Sequence, residues 1–137
     1  MDKIEELNRI DELKKLHGQD ISVSLYKEIR GNYFLSKHAQ EQLEKRSDLL
    51  VKYEDGKINF GATKRNINAA MDNAVLAYYN TDGSVNIALD DYNYFVFAWN
   101  PDRGSWTMIT YKEMSWYSIT IWEKQKMALD GFDRQYA

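Results

Sequence analysis

His38, Gln42 and Lys45 stand at i, i+4 and i+7 in the segment SKHAQEQLEKRSDLL, and Arg46 adjoins Lys45. On a helix this spacing projects an imidazole, an amide and two cations from one flank, while Ala39 and Leu43 point inward. Such a set suits a phosphodiester. Attack by a ribose 2′-hydroxyl needs a base for that hydroxyl and an acid for the 5′ leaving oxygen, and positive charge must face the phosphorane. His38 can serve as base or acid, and Arg46 or Lys45 can supply the charge. The same residue types also suit an ordinary solvated helix face, so spacing alone does not separate the two readings.

A second group closes the segment SWTMITYKEMS, where Thr110, Tyr111, Lys112 and Ser115 gather hydroxyls and an amine fit to hold a phosphate or a ribose. Strict alternation there puts Trp106, Met108 and Thr110 on one face and Thr107, Ile109 and Tyr111 on the other. Lys64 and Arg65 add a further cationic pair for substrate. Tyr92, Tyr94, Phe95, Phe97 and Trp99 crowd another segment, where exposed rings can stack bases. Phe95, Phe97 and Trp99 are the bulkier alternate set and the better core candidates.

The elements that must carry these residues follow from period and punctuation. Ile4, Leu7, Ile10, Leu13 and Leu16 recur at helical spacing and predict an amphipathic first helix closed by Gly18. Residues 21–29 admit strand or helix. Ser36 caps the helix bearing His38, with Leu50 a further inner-face position, and Glu54-Asp55-Gly56-Lys57 marks a small hairpin within Val51–Phe60. Thr63 is read as the cap of a third helix with Ile67, Ala70, Met71 and Ala74 on one face. From Val75 the period drops towards two, and NTDG, DYN and NPDRG separate four short strands of an antiparallel meander. A helix is expected in the last part of Met114–Leu129, and residues 131–137 are expected to be a loose tail.

The fold class predicted is therefore α+β in a single domain spanning 1–137: helices packed on a four-stranded antiparallel meander, residues 1–32 a helical N-terminal extension, and a C-terminal helix. With 44% hydrophobic and 14% aromatic residues over 137 positions, the chain can build a core without staples. It has no cysteine, which excludes disulfides, thiol nucleophiles and cysteine-held zinc. No cofactor or metal is expected, since phosphate-cradling, dinucleotide, calcium and zinc-protease motifs are all missing. A charged start and the lack of a long apolar run lead to an expectation of cytoplasmic residence and no membrane contact. The net charge of −3 repels nucleic acid at long range, so an RNA site must be local.

The order of the motifs carries a resemblance. Ser36-Lys37-His38-Ala39, Gln42 and Lys45-Arg46 come on one helix and Ile67-Asn68-Ala69-Ala70 on the next, before a meander that ends Met108-Ile109-Thr110-Tyr111. Over about residues 33–115 this resembles the barnase, colicin and RelE-like ribonuclease superfamily, especially its phage-borne and toxin members. The resemblance implies metal-independent RNA cleavage, with His38 and Arg46 matching the helix motif and Thr110-Tyr111 the final strand. Gln42 stands where many members have arginine. The rival expectation is a non-catalytic protein, encoded by a phage or mobile element, that binds and inhibits a host protein through an acidic, aromatic-rich surface. A homodimer is compatible with either.

Overall fold

The computed structural model describes residues 3–115. In chain order these form α1 (Lys3–Lys14), α2 (Val23–Gly31), β1 (Tyr33–Leu35), α3 (Lys37–Arg46), α4 (Phe60–Met71), β2 (Ala74–Tyr79), β3 (Val85–Leu89), β4 (Asn93–Asn100) and β5 (Ser105–Glu113). Side-chain caps start three of the helices. The hydroxyls of Ser22 and Ser36 accept from the amides of Leu25 and Ala39, and Asn59 Oδ1 accepts from that of Ala62. Ser22 settles the ambiguous segment 21–29, which is helical from Val23 onward.

Asn59, not Thr63, caps α4, so that helix begins four residues before a Thr63 cap would place it. Thr63 is fully buried inside α4 and its hydroxyl accepts from the Val51 amide at 2.9 Å, tying the 51–58 loop to the helix. That loop is a minimal hairpin, held by one bridge between Lys52 and Ile58 and turned at Gly56 with φ 86°. Helix α3 ends at Arg46 with Ser47 as its C-cap, which leaves Leu50 outside it.

The meander is present, but the sheet has five strands and is mixed. Its order is β1-β5-β4-β3-β2, with β1 parallel to β5 and the other pairs antiparallel. Strand β1 pairs Tyr33, Phe34 and Leu35 with Trp106, Thr107 and Met108. At the opposite border, residues 18–21 cover β2: Gly18 and Ile21 amides donate to Tyr79 and Ala77, and the Tyr79 amide donates to Gln19. An edge that would otherwise template pairing is closed.

The described helices build the core on one face of the sheet. Leu13, Ile29, Ala39, Leu43, Ile67 and Met71 meet Tyr33, Ile87, Phe95, Phe97, Trp106, Met108 and Tyr111 there. Residues 3–32 contribute to this core through Leu13, Ile21 and Ile29. Of the apolar positions expected to seat α1, Ile4 and Leu7 instead stand 71% and 51% exposed. The expected C-terminal helix and the tail at 131–137 lie outside the described residues. Among the described residues, no helix is long and apolar enough to cross a membrane.

Candidate functional site

One irregularity decides which side chains of β5 face which way. The register jumps from Val96–Thr110 to Phe97–Met108, so Ile109 is an extra residue bulged out of the ladder. Strict alternation across β5 therefore fails: Trp106, Met108 and Tyr111 face the helices, while Thr107 and Thr110 share the opposite face, where Val75, Leu76 and Ala88 form a second buried cluster to which none of the described helices contributes. Thr110 and Tyr111 remain on different sides, but each has exchanged the neighbours that alternation assigned to it.

The sequence-selected residues consequently fall into two groups. On the helix side, α3 runs beside β5: the Ser36 amide donates to Met108 O at its start, and the Arg46 guanidinium comes within 4.0 Å of Glu113 at its end. Arg46 Nε also donates to Gln42 Oε1 at 2.7 Å. Tyr111 is buried below, and desolvation pushes its phenol up to about 12; Asp91 and Glu113 add to that rise, and Arg46 opposes it. Tyr111 thus stays protonated at neutral pH. Lys45 is exposed, and Arg46 is partly engaged by Glu113 and Gln42.

On the face away from the helices, Thr110 and Lys112 line a depression of about 400 Å³ together with Asn80, Asp82, Ser84, Asn86, Tyr94 and Ile109. Its floor is a hydrogen-bonded polar network. Asn80 Nδ2 donates to Ser84 Oγ at 2.9 Å and to Asn86 Oδ1 at 2.6 Å, and Asn86 Nδ2 donates to the Tyr78 hydroxyl at 3.0 Å. Thr110 Oγ1 is buried and has no partner among the described residues. A buried hydroxyl left unpaired costs about 1–3 kcal/mol and is uncommon in a folded chain.

His38 belongs to neither group outright. It is exposed in the first turn of α3 and makes no hydrogen bond or ion pair among the described residues. Two positions before it, the Ser36 hydroxyl donates to the carbonyl of Ile109, the bulge residue whose side chain lines the depression. The start of α3 is thus tied to the backbone of a residue that lines the depression, while no α3 residue is itself among the described residues lining it. Lys64 lies at the free edge of β1, 5.5 Å from the rings of both Tyr33 and Phe34. Arg65 and Ser115 are exposed.

Comparison with known family models, curated proteins and solved structures gives no match to any of them. The site has to be read from its own chemistry. Asn80, Ser84 and Asn86 escaped sequence reasoning because amides and a serine around a turn look like turn formers. Their common face follows only from strand pairing.

Asp82 gives the depression a fixed negative rim. The Ser84 hydroxyl and amide donate to its Oδ1 at 2.6 and 2.9 Å, and these bonds hold its carboxyl below the ordinary carboxylate value. A lowered folded-state value means that the carboxylate stabilises the fold at neutral pH, and that this contribution disappears as pH falls through the folded value. Asp82→Ala is expected to melt below the parent at pH 6, with the difference closing below about pH 4. A pH-independent difference in Tm would show that charge is not the cause.

Proposed function

We propose that this chain is a metal-independent endoribonuclease that holds RNA on the face of its sheet away from the described helices. The observation that supports the reading is the attachment of Ser36, two positions before His38, to the backbone carbonyl of Ile109, a residue that lines the depression containing Thr110 and Lys112. Thr110 and Asn86 offer hydrogen bonds to ribose hydroxyls, Lys112 neutralises phosphate, and Tyr94 gives an aromatic wall for a base.

In this mechanism His38 takes the proton from the ribose 2′-hydroxyl, the 2′-oxygen bonds to phosphorus, and the phosphorus–O5′ bond breaks. The departing O5′ acquires a proton, leaving a 2′,3′-cyclic phosphate and a 5′-hydroxyl. Lys112 supports the charge of the phosphorane, because Arg46 is turned towards Glu113. The likeness of the His38 helix and the Thr110 strand to the barnase, colicin and RelE-like ribonucleases supports the same chemistry.

Incubating the purified chain with total RNA in excess chelator tests this. Fragments ending in cyclic phosphate are the expected result, and intact RNA at high protein concentration overturns it. One observation favours the rival protein-binding reading: the exposed apolar pair Ile4 and Leu7 on α1 of an acidic chain. That reading takes precedence if RNA is neither cut nor bound.

A further inference from the structure

Phe34 sits on the face away from the helices at the sheet's edge, 41% exposed, and two cations converge on its ring. Arg103 Cζ, from the β4–β5 turn, lies 4.5 Å from the ring centroid, and Lys64 Nζ, reaching round the strand edge from α4, lies 5.5 Å from it. Neither cation forms an ion pair among the described residues, although the chain as a whole is acidic. Two like charges at one exposed ring repel each other unless an anion joins them. In the neighbouring strand the register partner of Phe34 is Thr107, whose hydroxyl is also buried with no partner among the described residues.

We propose that Phe34, Lys64 and Arg103 form a second nucleotide subsite, in which a base stacks on the Phe34 ring and its phosphate joins the two cations. This deepens the ribonuclease reading and rests on it. Thr107 and Thr110 share the face away from the helices, and because Ile109 is bulged out their partners Ala98 and Val96 lie two positions apart on β4, a separation of about 7 Å at ~3.3 Å per residue. A single strand leaving the Thr110–Lys112 depression along β5 therefore meets Thr107 and then Phe34. Stacking on an exposed ring flanked by cations is how sequence-tolerant single-strand binders gain affinity. An acidic protein peptide would satisfy the cations but would make no use of the ring face.

Fluorescence anisotropy with a labelled 2′-O-methyl oligouridylate, which cannot be cut, tests the subsite. Phe34→Ala should weaken binding about 5- to 150-fold, and Phe34→Trp should retain it. Replacing Lys64 and Arg103 together by glutamine should flatten the log–log salt dependence by about 0.7, the value for one single-strand phosphate. Unchanged affinity in Phe34→Ala, alongside loss in Lys112→Gln, overturns the subsite and leaves the ribonuclease reading standing. Equal loss in Phe34→Trp and Phe34→Ala overturns it as well, because stacking is then not the role. Polyglutamate bound as tightly as the oligonucleotide, and as sensitive to Phe34→Ala, also overturns it. If the parent chain binds no RNA, both readings fall.

Discussion

Replacing Phe97 by alanine is expected to cost about 3–5 kcal/mol of folding stability, a large share of the 5–15 kcal/mol typical of a domain. Phe97 is fully buried at the centre of β4, pairs with Met108 on β5, and meets Tyr33 of β1 edge-on at 5.2 Å. Its ring also contacts Phe95 at 6.3 Å. The substitution opens a cavity and releases the aromatic contact that links the meander to the short parallel strand. Because β1 leads directly into Ser36 and α3, that loss reaches the helix carrying His38. Denaturant unfolding followed by tryptophan fluorescence should show a large drop in midpoint at unchanged m-value. Phe60→Ala, at a ring 47% exposed, should fall within about 1 kcal/mol of the parent. A Phe97→Ala loss as small as that would remove Phe97 from the centre of the core.

The meander was legible because its turns are chemically explicit. Gly83 and Gly104 adopt φ of 84° and 61° at the tips of two of them, and Phe95 and Phe97 alternate inward as their bulk requires. Strand β1 was not legible, since three residues are too few to show a period and its partner lies some seventy positions away. Thr63 misled for a related reason. A threonine ahead of a helical run usually caps it, but here tertiary demand for a partner to Val51 placed that hydroxyl inside the helix.

The candidate site was legible only in parts. The residue types on α3 were visible, and so was the cluster of hydroxyl and amine groups on β5. What joined them was a bulge, and a bulge at Ile109 has no marker in sequence: no glycine, no proline and no change in hydropathy. It turns Thr107 and Thr110 out to the face away from the helices, and its carbonyl anchors the start of α3. Phe34 carries no signal in the sequence, since a three-residue strand shows no period. It stands 41% exposed on the border strand β1, on the face away from the helix-side core.

The second large effect is a pair of substitutions expected to separate stability from chemistry. His38→Ala should leave folding within about 0.5 kcal/mol of the parent, since the imidazole is exposed and unbonded, while removing about 10²–10⁴-fold of RNA cleavage through loss of the general base. Thr110→Val keeps the side chain's shape and deletes a buried hydroxyl that has no partner among the described residues. It should therefore raise stability by about 1 kcal/mol, yet weaken cleavage under the proposed mechanism, in which the hydroxyl meets a substrate oxygen. Thermal melts and single-turnover cleavage in chelator measure both quantities on the same preparations. A destabilised Thr110→Val would mean that the hydroxyl already has a partner in the free chain, and cleavage unaffected by either substitution would take the chemistry away from this face. Opposite movement of stability and rate at Thr110, with rate alone moving at His38, is the signature of polar groups placed for a ligand rather than for the fold.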